Sequence, residues 1–154
     1  MTAPPTDGAG LERPVWPGDQ VVEAGIVKVD LEVTRSGAND EGEMLESRAD
    51  VVVHTESVVL VIENKLDAGE QPDQCERQYW AWAQDSIDTR FIFLTPRGRS
   101  PTTATSTVAK DAWQALSYGQ VRRALDRAVA GAADGGSDIG RAAAAQYLAT
   151  LNTF

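Results

Sequence analysis

Two β-branched runs, RADVVVH (residues 48–54) and VVLVIENK (residues 58–65), stand only three residues apart, separated by Thr55, Glu56 and Ser57. Runs so short, so apolar at successive positions and so close together predict a hairpin with both faces buried. If Glu56 and Ser57 form a two-residue turn, Thr55 pairs with Val58. Val53 then faces Leu60, Val51 faces Ile62 and Asp50 faces Glu63. Directly opposed residues share a face of the sheet, so two carboxylates are expected to meet at the open end. Lys65, two residues past Glu63, projects from that same face. Asn64 points the other way and leaves its backbone carbonyl to the site.

Two carboxylates a few ångströms apart repel each other and favour a divalent cation between them. Mg²⁺ suits such a pair, being a hard ion that accepts one or two carboxylates and keeps several waters. It can lower the pKa of a bound water and neutralise a phosphoryl oxygen. The Lys65 ammonium can hold the attacking water or stabilise charge on a scissile phosphate. Neither hydride transfer nor acyl transfer makes comparable use of these groups.

Around the hairpin the chain alternates strands and helices. Val27, Val29, Leu31 and Val33 alternate with Lys28, Asp30, Glu32 and Thr34, the period of a half-exposed strand. Residues 36–47 read as a polar loop. Over Gln71–Ser86 the period becomes helical, with Cys75, Tyr79, Trp82 and Ala83 on one stripe and Pro72 in the first turn. TRFIFLT (residues 89–95) is a strand ended by Pro96 and Gly98, and residues 97–110 have loop composition. Ser117 and Gln120 form a capping box opening a helix with Val121, Ala124, Leu125 and Val129 inward. ADGGSD is a linker, and RAAAAQYLATL a last helix. The predicted order is β-β-β-α-β-α-α, an α/β fold with a central mixed β-sheet flanked by helices. Residues 1–20 hold four of the seven prolines and read as a Pro/Gly-rich arm, leaving one domain over residues 21–154.

Charge bears on the partner. The net charge of −9 sits badly with phosphate binding, which usually leaves a basic footprint. Its distribution is uneven: residues 1–80 carry 17 acids and 6 bases, or −11, and residues 81–154 carry 6 acids and 8 bases, or +2. The proposed metal site lies in the acidic half, where a divalent ion cancels part of the charge. The single cysteine, Cys75, forms no intrachain disulfide, the first residues lack the pattern of a signal peptide, and no apolar run approaches a membrane span. These readings give a cytoplasmic expectation with no membrane partner.

Asp50, twelve residues, then Glu63-Asn64-Lys65 resembles the PD-(D/E)XK nuclease superfamily. ENKLDAGEQPDQCERQY resembles its branch with an E-N-K motif, a short acidic segment and a Gln-bearing helix. The resemblance implies a restriction-endonuclease-like fold, metal binding by Asp50 and Glu63, and a catalytic Lys65. Three departures stand out. Ala49 replaces a frequent Pro. The family's Gln, three residues, then Tyr meets Gln74 followed by Gln78, with Tyr79 one place late. A helix that often precedes the first strand and supplies a further acid is not suggested by residues 1–20, so a homodimer or a partner chain supplying that piece is one expectation.

The sequence therefore predicts a Mg²⁺-dependent deoxyribonuclease, with Mn²⁺ as substitute and RNA as an alternative substrate. Asp50, Glu63 and Lys65 are its catalytic residues. Asp50, Glu63, the Asn64 carbonyl and, as a further candidate, Glu32 are its metal ligands. Gln74, Arg97 and Arg99 are its candidate substrate contacts. The rival is a nucleic-acid-binding or assembly subunit that keeps the nuclease fold without cleaving. An acidic decoy that mimics DNA is a third reading. His54 and Cys75 are read as structural, and Trp80 as packing rather than a base-stacking platform.

Overall fold

The computed structural model describes residues 26–84 and 87–131, together with the isolated helical positions Ala142, Gln146 and Ala149. The N-terminal arm, the boundary at residue 21, the ADGGSD linker and most of the expected last helix lie outside the described residues. Five strands form one mixed sheet in the order β1-β2-β3-β4-β5. These are β1 (Ile26–Ala38), β2 (Met44–Thr55), β3 (Val58–Asn64), β4 (Asp88–Thr95) and β5 (Trp113–Ser117). Helix α1 (Gln74–Trp82) joins β3 to β4, α2 (Thr107–Ala112) joins β4 to β5, and α3 (Tyr118–Gly131) follows β5. The first three strands pair antiparallel and the last two join them in parallel, as helical crossovers require.

The central hairpin has the expected register, with Val51 opposite Ile62 and Val53 opposite Leu60. Thr55 closes it. Its hydroxyl donates to the Val58 carbonyl and accepts the Val58 N–H, both at 2.8 Å, leaving Glu56 and Ser57 exposed at the turn. Strand β3 lies between β2 and β4, so neither of its edges is open, and successive residues Val58–Val61 are buried on both faces. Val59 and Val61 pack with Val52, Phe91, Phe93 and Trp113 against Cys75, Ala81 and Trp82. Val58 and Leu60 pack with Ile92 and Leu116 on the other side. At Gly37 of β1 the α1 backbone comes so close that a Cβ would lie 2.2 Å from the Trp80 carbonyl oxygen.

Five expectations need correction. Of the expected loop over residues 36–47 only 39–43 lie outside strands, because β1 runs on to Ala38 and β2 starts at Met44. Residues 97–110 are not all loop: Ser106 caps α2 by accepting the Ala109 N–H at 3.2 Å. Strand β5 is absent from the expected order, being five residues long and recognisable only by its parallel pairing with β4. Pro72 lies in a turn before α1 rather than inside it, and Asp73 adopts a left-handed φ of 52° just ahead of the first helical residue. In β1 the apolar face is not buried throughout. Val33 packs on the core, whereas Val29 and Leu31 are 52% and 70% exposed. Glu32, between Leu31 and Val33, has a φ of 52°, which breaks the strand's alternation. The capping box opens α3 as expected: Gln120 N–H donates to Ser117 Oγ at 3.2 Å, and Ser117 N–H to Gln120 Oε1 at 2.8 Å.

Candidate active site

Glu63 ends the run of inward residues on β3 that starts with Val59 and Val61, so it arrives beneath α1 and is only 1% exposed. A carboxylate there loses its hydration and must be offered donors in return. Helix α1 supplies two. Gln74 Nε2 donates to Glu63 Oε1 at 2.6 Å, and Gln78 Nε2 to Oε2 at 2.5 Å. Lys65 Nζ lies 2.9 Å from Oε1. The Gln74 amide is held the right way round by the Gln71 N–H, which donates to its oxygen at 3.1 Å. Gln78 Nε2 also donates to the Arg48 carbonyl at 2.8 Å, which ties β2 to the same carboxylate. Burial still dominates and raises the pKa of Glu63. The Lys65 and Gln78 contacts pull it down, and the negative charge of Asp50 pushes it up again.

The β2–β3 ladder runs as far as Val51 and Ile62. One residue beyond, Asp50 replaces a backbone rung with its side chain: Oδ2 accepts the Asn64 N–H at 2.8 Å. Asn64 turns its own side chain to the Tyr118 hydroxyl, which donates to Oδ1. Asp50, Glu63 and Lys65 therefore line one cavity of about 250 Å³, with Thr34, Glu46, Ser47, Arg48, Gln71, Gln74 and Arg77 completing its wall.

Several expected residues stand elsewhere. Glu32 is exposed and does not line the cavity. Asp30 pairs with Lys28 at 2.8 Å and with His54 at 3.2 Å. Arg97 and Arg99 are also outside the cavity wall. Arg99 is ion-paired to Glu70, and its guanidinium lies 5.0 Å from the centre of the Phe93 ring. Trp80 packs edge-on to Tyr79, with ring centres 5.1 Å apart, and donates its indole N–H to Glu76 at 2.8 Å. Cys75 is fully buried, and burial pushes its thiol up to about 12, so it remains an inert thiol.

Arg48, Arg77 and Glu46 join the cavity without any signal in the sequence pattern, whereas Gln78, at the motif spacing after Gln74, is marked by position but not by its partner Glu63. A polar residue on a helix gives no sign of which buried acid it will meet.

The segment before α1 is fixed by Glu70, whose side chain is 3% exposed. It accepts the backbone N–H groups of Thr102 and Thr103, both hydroxyls of that pair, and the Arg99 guanidinium. Burial pushes Glu70 upward, but the Thr103 hydroxyl, Arg99 and the two backbone donors outweigh it and hold the carboxyl down to about 2.

The donor set fits a hard cation. A carboxylate offers about four lone-pair directions, and three of those on Glu63 are filled, two on Oε1 and one on Oε2. Glu63 Oε2 thus keeps one direction, and Asp50 spends only Oδ2 on the Asn64 N–H. No group of three His, Cys, Asp or Glu side chains is arranged for a metal among the described residues. An ion here would rest on two carboxylates and otherwise on water or backbone oxygen, which is the usual Mg²⁺ arrangement.

Residues 11–148 match the PD-(D/E)XK nuclease superfamily. The chain belongs to that superfamily. Its members generally use divalent metal ions, in keeping with the two-carboxylate cavity. Among solved structures, the small subunit of the heterodimeric restriction endonuclease R.BspD6I is similar at 19% identity and a TM-score of 0.32. That alignment covers 49% of this chain and 45% of the other, so it spans under half of the neighbour's length. Among curated proteins, none matches. No described helix of this PD-(D/E)XK chain is long and apolar enough to cross a membrane.

Proposed function

We propose that this protein hydrolyses phosphodiester bonds of DNA with Mg²⁺ held by Asp50 and Glu63 and with Lys65 assisting. The observation that carries the reading is the shared cavity in which Asp50, Glu63 and Lys65 meet. When bound, the ion would supply an activated water and charge neutralisation at the phosphoryl oxygens. The protein's own groups have separate tasks. Gln74 and Gln78 fix the orientation of the Glu63 carboxylate, so its remaining lone pair is presented without rearrangement. Asp50 is fixed in turn by the Asn64 N–H. The Lys65 ammonium stands at the cavity wall, where it can stabilise negative charge developing on a bound phosphate. Mn²⁺ would substitute for Mg²⁺ in the same oxygen-rich site.

The test is cleavage of supercoiled and linear DNA by purified wild type, Asp50→Asn and Lys65→Ala, with and without Mg²⁺. Metal-dependent cleavage by wild type alone supports the reading, provided the variants keep the wild-type circular dichroism spectrum. Cleavage persisting in either variant overturns the assignment. A second reading, a nucleic-acid-binding or assembly subunit that does not cleave, is favoured by the Lys65 ammonium 2.9 Å from Glu63 Oε1, which offsets the carboxylate's charge without a metal. Calorimetric titration with Mg²⁺ and Mn²⁺ separates the two, because only the nuclease reading requires binding near neutral pH.

A further inference from the structure

Three acids (Glu46, Asp50, Glu63) and three bases (Arg48, Lys65, Arg77) line the cavity, so its formal charge is zero in a chain of net −9. Lys65 is committed to Glu63. Arg48 and Arg77 are not committed: neither forms an ion pair or side-chain hydrogen bond with its guanidinium among the described residues. Elsewhere Arg90 pairs with Asp88, Arg99 with Glu70 and Arg122 with Asp126. The Arg77 Nε is buried without a partner. A buried donor left unmade is costly, and such a group in a native fold calls for a reason.

The placement of both arginines is tied to the carboxylates. Arg77 follows Gln74 by three residues on α1, which puts the two on neighbouring parts of one helix face. The Arg48 backbone is held by Gln78 Nε2, the same nitrogen that holds Glu63. Gln78 thus ties the strand that carries Arg48, the helix that carries Arg77 and the Glu63 carboxylate together.

We infer that Arg48 and Arg77 form the phosphate-binding wall of this cavity and contact the nucleic-acid backbone beside the cleaved bond. The inference rests on the nuclease reading and names the residues that would hold its substrate. A guanidinium offers paired donors that match two phosphate oxygens. Such contacts set position and affinity without reading sequence. They also answer the charge problem: a neutral cavity becomes positive once a divalent ion enters, which favours an anionic strand there despite the net charge of −9.

The test is fluorescence anisotropy of a labelled DNA duplex across a salt series, with Ca²⁺ in place of Mg²⁺ as the oxygen-binding ion. Each phosphate that is no longer neutralised lowers the slope of log affinity against log salt by about one. Arg48→Gln and Arg77→Gln should each reduce the slope by about one unit. The lysine variants at both positions should keep most of it, which also guards against loss by misfolding. Arg97→Gln, outside the cavity, should match wild type. Unchanged slopes in both glutamine variants would overturn this inference and leave the nuclease reading standing on metal-dependent cleavage. A reduced slope in Arg97→Gln instead would move the phosphate-binding wall to the loop after β4. Wild-type protein that neither binds nor cleaves DNA would overturn both.

Discussion

Replacing Glu70 by Gln should cost the fold about 3 kcal/mol at neutral pH, and the cost should shrink on acidification. The carboxyl falls from an ordinary 4.5 to about 2 on folding. A shift of that size corresponds to about 3 kcal/mol, since each unit is about 1.4 kcal/mol. The sign follows from the depressed value: the folded state holds the ionised form more tightly, so the contribution is complete above the ordinary carboxylate range. It declines as pH falls from 4.5 toward about 2. At pH 3 roughly 1 kcal/mol should remain. Glutamine keeps one acceptor oxygen but places an N–H₂ where the Thr102 and Thr103 donors converge, and it leaves Arg99 unpaired. Urea unfolding of wild type and Glu70→Gln at a series of pH values between 7 and 3 measures the difference directly. A gap below about 0.5 kcal/mol at neutral pH, or one that does not narrow on acidification, would refute the claim that this carboxylate anchors the approach to α1.

Three other outcomes are expected. Gly37→Ala should destabilise by about 2 kcal/mol or more in denaturant unfolding, because the added Cβ meets the backbone of Trp80 and Ala81 rather than a movable side chain. Thr55→Val should cost about 1–2 kcal/mol in the same assay, since both turn groups of Val58 lose their hydroxyl partner. Metal uptake should release protons at mildly acidic pH, because folding raises Glu63 above the ordinary 4.5. The metal-free fold therefore loses stability as pH rises from that value through the raised pKa, and calorimetry in buffers of different ionisation enthalpy reads the protons.

How far the sequence can be read depends on how local each determinant is. The hairpin register follows from a short turn and two apolar runs that lie side by side in the chain, and with it comes the meeting of Asp50, Glu63 and Lys65 in one cavity. Strand β5 escapes such reading because WQALS carries too few residues for a period and is defined by its parallel partner β4, on the far side of α2. The exposure of Val29 and Leu31 escapes it because alternation predicts a face, whereas Glu32's positive φ interrupts it. Arg77 looks like ordinary polar helix surface, and Gln78 is marked only by its motif spacing after Gln74. Their role depends on α1 lying over the end of β3, a tertiary fact that helical periodicity does not carry. Arg99, attractive as a loop cation, is taken by Glu70 from a segment 29 residues earlier.

The most direct measurement is anomalous diffraction from crystals grown with Mn²⁺. One strong peak is expected in the cavity, in contact with carboxylate oxygens of both Asp50 and Glu63 and beside the Lys65 amine. Crystals that bind Mn²⁺ only elsewhere, or a cavity in which these three side chains turn away from one another, would contradict that expectation.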